Sequence, residues 1–206
     1  MSTIRPYRTR HRQQRSQKTR ERITKAVREL LAEGTFHEST VEEVADRAGI
    51  ARATLYQHFG SRLELVDAIC DTFDANPALL TLRKSVELPD AQAALAETIA
   101  NVVGFWSSED AILSQLYGVA AIDPAAQDLV DRQRADRRSE MERLANHLRA
   151  AGVLRPRTTA SEAVALLMVL TSYDSYRELR EAELPDLKIT SILQDTARAL
   201  LLARAA

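Results

Sequence analysis

The chain has 206 residues, 45% of them hydrophobic and 28% charged, enough to bury the core of one domain or two small ones. Six Gly and six Pro are few for many short strands, one cysteine (Cys70) excludes an intrachain disulfide framework, and the longest apolar run, Ala163–Leu170, cannot cross a bilayer. The net charge of −1 hides a basic end, with ten Lys/Arg against Glu21 alone in residues 1–28, and an acidic remainder, with 15 basic and 22 acidic side chains in residues 64–206.

That asymmetry points to a first job on a polyanion, the competing reading being a solvated tail. No apolar h-region follows the basic N-terminus, so a soluble cytoplasmic protein with no membrane partner is expected. The first segment, residues 1–17, has too little apolar content to fold by itself and is expected to be a disordered basic arm. Its Arg8, Arg10, Arg12 and Arg15 would lie along phosphates or enter the minor groove.

Three short helices follow. Ile23, Ala26, Val27, Leu30 and Leu31 form one apolar stripe that Gly34 stops. Ser39-Thr40-Val41-Glu42 predicts a capping box opening a second helix of about nine residues, ended by Gly49. After the turn Gly49-Ile50-Ala51, a third helix spans Arg52–Phe59. Two short helices joined by a Gly-containing turn are the helix-turn-helix pattern, here at about residues 40–59. Leu55 and Phe59, four apart, face a core with Ile50, which leaves Arg52, Thr54, Tyr56, Gln57 and His58 outward. All five are good donors to phosphates or base edges. The alternative is an ordinary amphipathic helix with a decorated polar face.

The residues Gly34-Thr35-Phe36, Ser39-Thr40-Val41-Glu42-Glu43-Val44-Ala45, Ala48-Gly49-Ile50 and above all Leu55-Tyr56-Gln57-His58-Phe59 resemble the TetR family of transcriptional regulators over about residues 18–65. The resemblance implies an all-helical homodimer with a three-helix DNA-binding domain and a larger C-terminal domain that dimerises and often binds a small molecule. Ala51 stands where many members have Ser at the N-cap of the recognition helix, and Arg62 where Lys is common. On side-chain chemistry and this resemblance together, Thr40, Tyr56, His58 and Arg62 are expected on phosphates. Arg52 is expected on guanine and Gln57 on adenine, with Ala53 and Thr54 close to thymine methyls.

The remaining chain also reads as helices. A connector capped by Ser61 carries Leu63, Val66, Ile69, Cys70 and Phe73, and a break runs from Pro77 to Pro89. A helix from Ala91 to Trp106 and another over Asp110–Ala121 come next. Asp123-Pro124 then opens a long one that Gly152 ends. Thr159 and Glu162 form a second capping box, Ala163–Leu170 is apolar all round, and Pro185 precedes the last helix. Pairing the last two helices with their symmetry mates would place Val164, Leu167, Leu170, Ile189, Leu193, Ala197 and Leu200 in a dimer interface; an unusually apolar monomer core is the alternative. A pocket between the connector and the central helices would be lined by Phe105, Trp106, Leu113, Leu116, Tyr117, Met168 and Tyr173. Few aromatics lean its ligand toward a small apolar molecule.

The four histidines (His11, His37, His58 and His147) lack metal-ligand spacing, Cys70 lies in an apolar stripe, and there is no nucleophile elbow or phosphate loop. No enzyme, cofactor or metal is therefore expected. The expected molecule is all-α, with about nine helices: arm 1–17, DNA-binding domain 18–77, and ligand-binding and dimerisation domain 78–206. Its function would be regulation of transcription from a palindromic double-stranded operator, released by a small-molecule effector. A ligand-independent architectural protein, or an unrecognised helical enzyme, are the alternatives.

Overall fold

The computed structural model describes residues 5–203, with side chains at His11 and from Gln13 onward. Among these residues there are ten helices, and the β-pairing is limited to one isolated bridge, Leu154 with Leu202. Two compact units divide the chain. The first joins residues 1–72 to 111–127, and the second joins 73–110 to 128–206. The divisions fall after residues 72, 110 and 127.

In the first unit, α1 spans Arg5–Ala32. The basic segment expected to be disordered is its N-terminal continuation from Arg5. The reason is local: Pro6 falls in the first turn, where its missing N–H costs nothing, and the Arg, Gln and Lys that follow are good helix formers. Gln17 donates to Glu21 at 3.1 Å one turn on. Residues 1–4 of the expected arm, and the side chains of Arg8, Arg10 and Arg12, lie outside what is described.

α2 (Val41–Arg47) begins one residue later than the sequence pattern suggested. Thr40, not Ser39, is the N-cap, and its reciprocal partner is Glu43, not Glu42. Ser39 turns its hydroxyl to Thr35 O instead, at 2.8 Å. α2 ends at its C-cap Ala48, and Gly49 just beyond has a φ of 61°, open to glycine and strained for other residues. Gly49 N donates to Asp46 O and Ile50 N to Ala45 O, so two orphan carbonyls are satisfied at the turn. α3 is Arg52–His58, and α4 is Arg62–Phe73 with Ser61 Oγ accepting from Glu64 N at 3.2 Å. The buried residues of this unit include Ile23, Val27, Leu31, Phe36, Val44, Leu55, Phe59, Leu65, Ile69 and Leu116.

The second unit contains two helices the sequence reading passed over. α5 (Pro77–Ser85) occupies the supposed break, with Asn76 as N-cap accepting from Ala78 N and Pro77 at the first helical position. α9 (Tyr173–Glu181) follows a Ser172 cap. α6 is one helix of 30 residues, Ala91–Ala120, where two were expected. The polar stretch that suggested a break is satisfied laterally: Ser107 donates to Asp186 at 2.5 Å, and the buried Glu109 accepts from Asn76 at 2.9 Å. α7 runs Pro124–Ala150 with Asp123 Oδ1 accepting from Ala125 N, as Asp-Pro predicted. α8 is Ala160–Leu170, with the Thr159–Glu162 box in place, and α10 is Asp186–Leu201.

The interface expected on the last two helices needs correction. Val164, Leu167, Ile189, Leu193 and Ala197 are buried by their own chain, at 7% exposure or less. A stripe at helical spacing records burial without saying whose surface provides it. Leu170 is half-buried and Leu200 keeps 41% of its surface. Val169, on another face of α8, keeps 63%.

Candidate DNA-binding surface

α3 is seven residues long and is held from one side. Leu55 and Phe59 are each 2% exposed, so the helix is pinned by the two apolar positions four apart. Arg52, Ala53 and Gln57 are exposed, Tyr56 keeps 45% of its surface, and Thr54 and His58 are half-buried. The side chains singled out by composition therefore share the outer side of one rod. Its N-cap, Ala51, makes no side-chain hydrogen bond to the first turn.

Arg52 is not idle on that surface. It pairs with Glu42 of α2, its Nη2 donates to the Tyr56 hydroxyl at 3.4 Å, and its guanidinium lies 5.4 Å from the Tyr56 ring centre. The Tyr56 hydrogen bond, then Glu42, raise the Arg52 pKa further above its ordinary value. The fork is thereby held along the rod, one turn from Tyr56, and a base edge would have to compete with Glu42 for it. Thr40 is exposed at the N-cap of α2. Its backbone N–H and hydroxyl donate to the Glu43 carboxylate, which lowers that group's pKa.

Arg62 is placed otherwise than a free phosphate ligand. Its Nη1 donates to Ser39 O at 2.7 Å, its guanidinium sits 4.2 Å from the Phe36 ring centre, and partial desolvation lowers its pKa. Arg15 and Lys18 are exposed on α1. Two residues that no spacing rule exposed also shape the surface. Arg22 Nη2 donates to Gly49 O at 2.6 Å, tying α1 to the turn between α2 and α3. Arg20 lies 4.5 Å over the Phe59 ring at the end of α3. The only available signal was an excess of arginines on the polar side of α1.

The seven expected pocket residues are divided between the two units. Leu113, Leu116 and Tyr117 belong to the first unit, and Phe105, Trp106, Met168 and Tyr173 to the second. In the second unit the aromatics are a packed chain. Phe105 lies 4.9 Å from Trp106, and Trp106 lies 5.4 Å from Tyr173. Trp106 Nε1 donates to Thr171 O at 3.1 Å, and the Tyr173 hydroxyl donates to Asp110 at 2.5 Å. Burial, then Asp110, push the Tyr173 phenol well above its usual range. Of the seven, Leu116 lines a cavity of about 230 Å³ within the first unit, along with Arg62, Leu63, Val66, Val119 and Asp123.

The profile described as "Bacterial regulatory proteins, tetR family" matches residues 23–69, the segment holding α2, α3 and most of α4. The HTH-type transcriptional regulator UidR of Escherichia coli is 36% identical over 75 residues, 36% of this chain and 38% of that one. The HTH-type transcriptional activator FasR of Mycolicibacterium smegmatis is 43% identical over 44 residues, 21% of this chain and 20% of that one. The chain thus matches well under half the length of these relatives. A triclosan complex of SmeT, a repressor from Stenotrophomonas maltophilia, superposes with a TM-score of 0.70 at 21% identity, covering 91% of this chain and 93% of that one. This last likeness extends the shared fold beyond the matched segment. No helix among the described residues is long and apolar enough to cross a membrane.

Proposed function

We propose, on the premise that the chain belongs through residues 23–69 to the tetR family of bacterial regulatory proteins, that it is a sequence-specific DNA-binding regulator of transcription in the cytoplasm. It acts as a homodimer, not as an enzyme, and binds a palindromic double-stranded operator from which a small, apolar effector releases it. The observation that carries this reading is α3 itself: Leu55 and Phe59 anchor it, and Arg52, Tyr56 and Gln57 stand exposed on a rod that fits a major groove.

The division of labour follows from reach and chemistry. Arg52 reads guanine O6 and N7 after leaving Glu42, and Gln57 reads adenine. Ala53 and Thr54 allow close approach to a thymine methyl. Thr40, Tyr56 and His58 hold phosphates and fix the register, with Arg62 contributing if it exchanges Ser39 O for an oxyanion. The basic continuation of α1, with Arg8, Arg10, Arg12 and Arg15, adds phosphate contacts. Two copies join through faces of α8 and α10 that the monomer leaves open, around Val169, Leu170, Ile192 and Leu200.

Release is a population shift. The effector favours a dimer in which the recognition helices no longer match major grooves about 34–36 Å apart. A tenfold loss of operator affinity needs only ~1.4 kcal/mol of coupling. FasR is named an activator and SmeT a repressor. We assign repression here, and a promoter–reporter fusion with and without the protein reads the sign. Selection of random duplexes against the purified protein tests the whole reading. A palindromic winner bound by a dimer is the expected result; enrichment without sequence preference would favour an architectural role and overturn it.

A further inference from the structure

We propose that the cavity beside Arg62 is a binding site for a small apolar carboxylate, and that its occupant loosens the start of α2. The second part rests on reading the first unit as a DNA-binding domain.

The cavity, about 230 Å³, lies wholly within that unit. Leu63, Val66, Leu116 and Val119 give it apolar walls. Such walls hold water poorly and hydrocarbon well. Two residues of opposite charge, Arg62 and Asp123, also border it. Asp123 is already committed: its Oδ1 accepts from Ala125 N at 2.9 Å and caps α7. A cationic ligand would be left with that carboxylate's second oxygen. Arg62 is committed less completely. One of its five donors serves Ser39 O, one face covers Phe36, and no carboxylate among the described residues pairs with it. An anionic head therefore finds up to four guanidinium donors here, whereas a cationic head finds the second Asp123 oxygen alone. His37, the other titratable residue at the border, lies 3.4 Å from Glu38.

The Arg62–Ser39 bond gives such a ligand leverage. It spans 23 residues and joins the start of α4 to the residue just before Thr40, the N-cap of α2. A carboxylate is a stronger acceptor for a guanidinium than a neutral carbonyl, and it binds in bidentate fashion. An occupant that captures Arg62 thus competes directly with Ser39 O. Losing that tie loosens the segment that sets the entry of α2, the first helix of the helix-turn-helix, and leaves it held to Thr35 O by Ser39.

Phenylacetate, one ring with one carboxylate, is a suitable probe, and phenylacetamide is its uncharged control. Methyl NMR of the full chain without DNA is the primary readout. Saturable phenylacetate shifts at Leu63, Val66, Leu116 and Val119 are expected, with phenylacetamide binding at least about tenfold more weakly. Arg62→Gln should lose phenylacetate by a similar factor, and Arg62→Lys should recover part of it. Shifts confined to other residues, equal affinity for the amide, or undiminished binding by Arg62→Gln in a chain with unchanged circular dichroism would each overturn the site. Because none of these uses DNA, they are independent of whether the regulator reading holds. With a selected duplex, saturating phenylacetate should weaken DNA binding of the wild-type chain; unchanged affinity would overturn the coupling to α2.

Discussion

α3 and α8 are both short helices, yet they are held in opposite ways. α3 has seven residues, one buried position within its span, and an alanine N-cap that donates and accepts nothing through its side chain. α8 has eleven residues, four of them buried, and a complete capping box at Thr159. Isolated helices of either length are marginal in water, so each depends on what surrounds it. α8 is fixed by its own chain at both its end and its face. α3 is fixed by Leu55, by Phe59 just past its end, and by whatever it meets on its outer side. For the recognition role proposed for α3, that arrangement leaves the outer residues free to be chosen for chemistry.

The contrast can be broken most severely at the anchors. Phe59→Ala should cost about 3–5 kcal/mol, because the ring is buried and also supports Arg20, and DNA binding should vanish with the α3 amide protection. Leu167→Ala in α8 should cost about 2–5 kcal/mol in urea unfolding while leaving the α3 surface intact. Thr159→Ala removes a cap and should cost ~1 kcal/mol, whereas Ala51→Ser supplies one and should slow α3 hydrogen exchange by a similar amount. An unaltered exchange rate in Ala51→Ser would show that α3 is already as ordered as its neighbours.

The capping boxes predict a pH response of defined sign. Hydrogen bonds from Thr40 and Thr159 lower the folded pKa of Glu43 and Glu162. The stability they lend is therefore complete above the unfolded value, about 4.3, and is lost as pH falls through the folded values. Thr40→Ala and Thr159→Ala should each flatten the urea midpoint against pH in that acid range. The smallest change sits at Glu183, a non-glycine residue at φ 60°. Glu183→Gly should raise stability by roughly 1 kcal/mol or less, read as a small rise in urea midpoint.

What the sequence could disclose was whatever is local. The outward chemistry of α3 was legible because Leu55 and Phe59 lie one turn apart. The glycine stop at Gly49 was legible because few residues tolerate its φ. The N-cap of α2 was missed by one residue because Ser39-x-x-Glu42 and Thr40-x-x-Glu43 satisfy the same pattern. Arg22 to Gly49 O and Arg62 to Ser39 O span 27 and 23 residues, and no periodicity encodes such ties. Residues 107–109 were left between two expected helices because the partners that satisfy Ser107 and Glu109, Asp186 and Asn76, come from other helices. The α8 and α10 stripes were correctly apolar but misassigned, since burial by one's own chain and by a partner leave the same pattern.

The central claim is that the outer side of α3 reads base pairs, and Arg52→Ala tests it most directly. Affinity of both proteins should be measured for the selected duplex and for single base-pair variants of it, at one fixed salt concentration. The expected result is a loss of about 1–3 kcal/mol on the selected duplex and a relaxed preference at one base pair in each half-site. Unchanged affinity with unchanged preference at every position would contradict it.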